Sequence, residues 1–133
     1  MLEFDPVLLI GVDEIDAQHR ELFDRIRALL EASRNHRSRE EVVRLLEFLG
    51  GYVVDHFASE ERTMAASSYP RAEGHRSEHQ QFIKELEVLR HELKSEGPTP
   101  LFVIHVGNRV TEWLREHIYR TDRLLGQWLK DQR

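Results

Sequence analysis

The strongest constraint on the fold is a helical repeat of apolar residues that is interrupted by histidine at matching places. From Asp13 onward, apolar residues recur at steps of three and four in four stretches, which is the spacing of one face of an α-helix. The sequence lacks the apolar–polar alternation that is typical of a half-buried β-strand. The pattern therefore predicts an all-α protein.

Turn-forming residues divide the four stretches from one another. Ser38 is a good helix N-cap, and Glu41 three residues later completes the pattern of a capping box. Breaks at 67–70 and 97–100 contain proline, which interrupts helices. We expect four helices, over about 13–34, 39–66, 71–96 and 100–130. Gly50 and Gly51 lie within the second helix, and we interpret them as a place of close helix packing.

The connections between the predicted helices are short, which favours antiparallel neighbours. The expected architecture is an up-down-up-down antiparallel four-helix bundle. Residues 1–12 precede it as an extended N-terminal arm. A length of 133 residues suits one domain, so the prediction is a single domain over 1–133.

Six polar residues lie within the predicted apolar stripes: His19, His56, Glu60, His75, His79 and His117. His56 with Glu60, and His75 with His79, are four residues apart, so each pair lies one turn apart on the same helix face. Buried polar groups need partners. Imidazole and carboxylate groups are common ligands of first-row metals. The sequence thus predicts a metal site in the core of the bundle.

Each of these residues alone has a simpler interpretation. A single histidine in an apolar stripe is more often a core residue with a hydrogen-bond partner than a ligand, and Glu60 near a helix end could be a surface acid. Five histidines on the inward face of one four-helix pattern make coincidence a poor explanation. The remaining histidines lie off this pattern and are expected to be solvated or structural: His36, His91 and His105.

Asp122 is a separate question because it follows His117 by five residues. On a regular helix, five residues rotate a side chain to about 140° away, so the two would not share a face. Either Asp122 is a surface acid, or the fourth helix contains a π-type turn that aligns positions five apart. Such turns are concentrated at functional sites.

Composition limits the other classes of function. The chain has no cysteine, which excludes disulfides, cysteine-based zinc sites and iron–sulfur clusters. The net charge of −5 is made of interspersed acids and bases, without the Lys/Arg tract of a nucleic-acid surface. Neither a membrane-spanning run nor a signal-peptide pattern is present. We expect a cytoplasmic monomer with no nucleic-acid or membrane partner.

These residues form a pattern that closely resembles the hemerythrin family, in particular its single-domain bacterial members. The pattern consists of His19, His56-x-x-x-Glu60, His75-x-x-x-His79 and His117-x-x-x-x-Asp122. The sequence segments at 11–19 and 69–70 also match the family pattern, and the resemblance extends from about Gly11 to Asp122. Phe4 is a departure, because the family often has tryptophan in the N-terminal arm.

The resemblance implies a non-haem di-iron centre, with two iron ions joined by an oxo or hydroxo bridge. The resemblance implies that His75, His79 and His117 bind one iron. It implies that His19 and His56 bind the other, and that the carboxylates of Glu60 and Asp122 bridge the two. This arrangement favours a π-type turn before Asp122. Counting donors around two six-coordinate ions leaves one position open, on the iron that has two histidines.

The resemblance also implies that dioxygen binds at the open position, reversibly and without catalysis. Apolar walls would limit the access of water and protons, and the residues expected to form them are Leu22, Phe57, Trp113, Leu114 and Ile118. The same residues would be core in any bundle. Oxygen carriage, storage or delivery is the preferred interpretation. The alternatives are a sensing module, a di-iron oxidase, peroxidase or nitric-oxide-handling enzyme, and zinc or another metal in the same site.

Overall fold

The computed structural model describes residues 4–132, which form a bundle of helices with no strand in that range. The helices are, in chain order, α1 (Asp13–Arg34), α2 (Arg39–Ala66), α3 (Ala72–Glu96), α4 (Pro100–His117) and α5 (Arg123–Asp131). A π-helical turn, Ile118–Asp122, joins α4 to α5, so the two form one continuous rod. The all-α four-helix prediction is confirmed. The expected arm and domain also include residues 1–3 and 133, which lie outside the described residues.

Side chains at the helix ends explain where the helices begin and end. The Ser38 hydroxyl accepts a hydrogen bond from the Glu41 N–H at 3.2 Å, as the N-cap pattern predicts. Thr99 does the same for the Phe102 N–H at 3.2 Å, at the start of α4. Gly97 ends α3 with φ +80°, a left-handed conformation that favours glycine.

The arm packs against the first helix of the bundle. The Asp16 carboxylate accepts hydrogen bonds from the N–H groups of Ile10 at 2.9 Å and Gly11 at 3.1 Å. The Phe4 ring meets the Phe23 ring edge to face, with 5.7 Å between centroids. Phe4 therefore holds the arm by an aromatic contact of the kind that tryptophan could also make.

The predicted apolar stripes meet in one core, and their burial supplies the main stabilising term of the fold. Its largest fully buried apolar side chains come from α1, α2, α3 and the continuous α4–α5 segment: Leu22, Phe23, Ile26, Leu29, Leu49, Phe57, Met64, Phe82, Leu114, Ile118 and Leu125. Within residues 4–132, the helices lack the combination of length and apolar character that crossing a membrane requires.

The interpretation of Gly50 and Gly51 as a close-packing point is wrong. A β-carbon built at either position has no other atom within 4 Å. A close approach is found instead at Gly126, among other glycines, where a β-carbon would lie 2.6 Å from the carbonyl oxygen of Ile10 in the arm. A glycine pair in a helical pattern shows where side chains are missing, but it does not show what faces the gap.

Candidate metal centre

The π-helical turn decides between the two interpretations of Asp122. It turns the backbone so that Asp122, five residues after His117, points to the same side of the rod. Asp122 is 1% exposed, and its Oδ1 lies 3.0 Å from Nε2 of His117. The surface-acid interpretation is therefore wrong, and the π-type turn that the sequence left open is present.

All seven residues expected to bind metal meet in one buried cluster between the helices. Their side-chain nitrogen and oxygen atoms form two sets, and the atoms of each set lie within 4.8 Å of one another. One set consists of Glu60, His75, His79, His117 and Asp122, and the other of His19, His56, Glu60 and Asp122. The two sets share their carboxylates, so Glu60 and Asp122 lie between two groups of imidazoles.

Several atoms of the cluster are buried without a hydrogen-bond partner, among them both Oδ atoms of Asp122, Oε2 of Glu60 and Nε2 of His19. Nε2 of His19 lies 2.9 Å from Oδ2 of Asp122 but is not aligned to form a hydrogen bond with it. Such atoms are costly in a protein interior unless something bonds to them. Lone pairs that converge without bonding one another fit a cation held among them.

The two carboxylates are strongly stabilised in their ionised form. Burial and the charge of Asp122 raise the pKa of Glu60, but contacts with His19 and His75 among others outweigh them and lower it. Burial likewise raises the pKa of Asp122, and the imidazoles around it bring that pKa well below its usual value. Both side chains are therefore anionic near neutral pH and can share their oxygens between cations.

The negative charges of these two carboxylates change the pKa values of the surrounding imidazoles. Burial lowers the pKa of His19 and of His75, but the carboxylates of Asp122 and Glu60 outweigh it. The net effect raises the pKa of His19 to about 9 and that of His75 to about 10. Without a metal ion, protons on these rings balance the buried negative charge. A metal ion would replace those protons.

His56 is held as a neutral ligand with its lone pair directed inward. Burial lowers its pKa to about 4. The Gln18 amide donates from Nε2 to the Ser59 hydroxyl at 3.2 Å, which leaves Oε1 of Gln18 facing Nδ1 of His56 at 2.6 Å. Nδ1 is therefore the N–H donor in this contact, and Nε2 carries the lone pair that faces the cluster.

Gln18 is one of three side chains that hold an imidazole from the outside through Nδ1: Gln18 holds His56 at 2.6 Å, Glu61 holds His79 at 2.9 Å, and Glu78 holds His117 at 2.9 Å. In each pair the holding residue belongs to the helix that precedes the histidine's helix. Glu78 also accepts a hydrogen bond from the Thr121 hydroxyl at 2.8 Å. Such contacts fix the ring orientation of metal-binding histidines.

The helical pattern does not single out Gln18, Glu61 or Glu78, because each has the position of an ordinary polar residue at the edge of a helix face. The signal that could have found them is position. Gln18 precedes His19, Glu61 follows Glu60, and Glu78 precedes His79. A polar neighbour of an inward residue lies about 100° around the helix, where it can reach the next helix of a bundle.

Of the five residues expected to form the apolar wall, Phe57 and Trp113 contact imidazoles of the cluster. Leu22, Phe57, Leu114 and Ile118 are at most 1% exposed, whereas Trp113 is only partly buried. The Phe57 ring stacks on His79 with centroids 4.0 Å apart, and Trp113 stacks on His117 at 4.4 Å. Aromatic faces therefore cover two of the imidazoles. The off-pattern histidines, His36, His91 and His105, are all exposed, as expected.

The fold and the cluster define the class of protein: a helical bundle that is built to bind cations in its core. The family model described as "Hemerythrin HHE cation binding domain" matches residues 10–129. The chain belongs to the hemerythrin family.

Individual relatives agree with this assignment along most of the chain. The bacteriohemerythrin of Methylococcus capsulatus is 31% identical over 119 residues, which cover 86% of this chain and 85% of that protein. The myohemerythrin of Theromyzon tessulatum is 26% identical over 120 residues, covering 90% and 87% of the two chains. A crystal structure of wild-type hemerythrin superposes with a TM-score of 0.78 at 28% identity, and covers 90% of this chain and 89% of that one.

Proposed function

We propose that this protein binds dioxygen reversibly at a di-iron centre and acts in oxygen carriage, storage or delivery. The observation that carries the proposal is the pair of overlapping donor sets that share Glu60 and Asp122. Family membership supports it, since relatives along most of the chain are bacteriohemerythrins and a myohemerythrin.

In this proposal the two donor sets hold two iron ions. His75, His79 and His117 would hold one ion and His19 and His56 the other, and Glu60 and Asp122, which belong to both donor sets, could serve either ion. When bound, the iron pair supplies the electrons that reversible dioxygen binding needs. The set with two histidines has fewer protein ligands, and an incomplete ligand set is what separates a reactive metal site from a structural one.

The remaining residues orient the ligands and keep the site dry. Gln18, Glu61 and Glu78 fix three imidazole rings through Nδ1, so that Nε2 faces the cluster. Phe57 stacks on His79, and Leu114, three residues before His117 on α4, is completely buried. Excluding water and protons suppresses the irreversible oxidation of the iron, and this is the property that a reversible binder needs.

The choice of a binding protein over an enzyme follows from the donor set. Five imidazoles and two carboxylates meet here. Ferritin-like di-iron proteins instead use carboxylate-rich sites with Glu-x-x-His pairs. Neither Glu60 nor any other residue of the cluster belongs to such a pair. We therefore assign the protein as a non-enzymatic dioxygen binder.

The test is to count iron, reduce the protein without oxygen, admit oxygen, and follow the visible spectrum through repeated cycles. We expect two iron ions per chain and bands that appear and disappear reversibly. His117→Ala should lower the iron content, whereas the matched variant His105→Ala, which changes an exposed histidine, should not. Rapid loss of the bands with formation of an oxidised product would show an enzyme and refute the proposal.

A further inference from the structure

A cavity lies apart from the metal cluster, between α2, α3 and α4. Its volume is about 80 Å³. The side chains that line it are mainly aliphatic, among them Leu46, Leu49, Ile83, Leu86, Val106 and Val110. The charged residues in its lining, Glu47, Glu87 and Arg90, are all exposed, which places its opening on the surface between α2 and α3.

Gly50 is the one glycine among the residues that line this cavity. A β-carbon built on it has no other atom within 4 Å. A side chain added at this position would therefore enter open space beside the cavity lining. A glycine inside a helix costs stability, about 0.5–1 kcal/mol relative to alanine. The chain thus carries a helix-weakening residue in the lining of the cavity.

The lining determines what kind of molecule the cavity can hold. The volume of about 80 Å³ is several times the roughly 10–15 Å³ that one water molecule requires. Water also needs polar partners, and the buried part of the lining consists of apolar side chains such as Leu49, Phe102 and Val110. Apolar cavities of this kind bind small apolar molecules such as xenon. The cavity therefore suits an apolar molecule of a few atoms.

The cavity reaches close to the wall of the metal cluster. Ile83 follows His79 by four residues on α3, and Val110 precedes Leu114 by four on α4, so each lies one helical turn from a residue at the cluster. We propose that this cavity is a docking site for dioxygen, separate from the metal centre, and that Gly50 keeps it open. The identity of the gas rests on the proposed function, whereas the cavity and its apolar character do not.

The first experiment uses xenon as the probe of the full-length protein, measured by ¹²⁹Xe NMR titration in solution and by diffraction from xenon-pressurised crystals. We expect one xenon site within the aliphatic lining. Gly50→Leu should abolish it, because the added side chain fills the space. Gly51→Leu is the matched control, because Gly51 is the exposed neighbour and gains the same helix propensity. That variant should retain the site.

Several outcomes would overturn the cavity as a gas site. These are no xenon site in the unmodified protein, or equal xenon binding by the Gly50→Leu and Gly51→Leu variants. Should Gly50→Leu fail to fold, Gly50→Ala provides the same comparison, because its single methyl group enters the same space. It should weaken xenon binding relative to Gly51→Ala, and unchanged binding would also refute the proposal.

The second experiment tests dioxygen. With iron loaded and reduced, stopped-flow mixing with oxygen should show slower association in Gly50→Leu than in Gly51→Leu, by about twofold or more. Equal rates would refute the docking role, even if xenon binds. If the unmodified protein binds no oxygen, the proposed function fails and the docking role fails with it, whereas a positive xenon result would still establish an apolar gas site.

Discussion

Filling the metal centre should release protons, because the cluster without metal stores its positive charge as protons on imidazole rings. His19, with a pKa of about 9, and His75, with a pKa of about 10, are both protonated at pH 7. Each belongs to a different donor set. A metal ion binds only the neutral ring. Loading each set must therefore remove at least one proton.

The size of the effect follows from these two values. At pH 7 the deprotonation of His19 costs about 3 kcal/mol and that of His75 about 4 kcal/mol, at 1.36 kcal/mol for each pKa unit. These costs decrease as the pH rises toward the two pKa values. The affinity of each set for a metal ion should accordingly increase about tenfold per pH unit between pH 6.5 and 9.

The assay is isothermal titration calorimetry of ferrous iron into the chelator-treated, full-length protein without oxygen. Titrations in two buffers of different ionisation enthalpy give the number of protons released. We expect at least two protons for a filled centre at pH 7, and the same number for the His105→Ala control. Binding that releases no protons, or affinity that does not depend on pH, would show that the imidazoles are neutral beforehand and would refute this reasoning.

Three further predictions concern stability and ligand orientation. The metal-free protein should lose stability as the pH rises from 6.5 to about 10. The rings of His19 and His75, whose pKa values are raised in the fold, stabilise it only while they are protonated. Urea unfolding measured across this pH range checks the prediction. Gly126→Ala should destabilise by about 1–3 kcal/mol, whereas Gly51→Ala should stabilise by about 0.4–1 kcal/mol; equal urea midpoints would contradict the packing. Glu78→Gln should weaken metal binding by about 10–100-fold through loss of the charged acceptor on His117, whereas Glu40→Gln, at an exposed acid, should not.

The sequence was most informative where it contradicted the hydrophobic pattern. A polar residue within an apolar stripe, such as His19 or Glu60, is a visible exception, and exceptions on four helices at matching positions indicate one buried site. The structure brings these side chains together in the core. The helix connections were equally predictable, because capping residues such as Ser38 and Thr99 act locally.

Other features depend on contacts between distant segments and carry little local signal. Whether Gly50 meets a neighbouring helix or an open cavity depends on how α2 and α3 are spaced. The roles of Glu61 and Glu78 depend on which imidazole the next helix presents. Sequence periodicity describes one helix at a time, so it could not distinguish these residues from surface acids.

The π-helical turn has a consequence for the end of the chain, since it places one additional residue in the last rod. Counted at regular helical spacing from Leu114 and His117, Leu124 would belong to the inward stripe. It is instead 46% exposed, while Leu125 is fully buried. An inserted residue shifts the phase of the helix that follows it, which here is α5. Helices α1 to α4 precede the insertion and keep their phase, whereas a comparable insertion in the middle of α2 would turn half of that helix away from its neighbours.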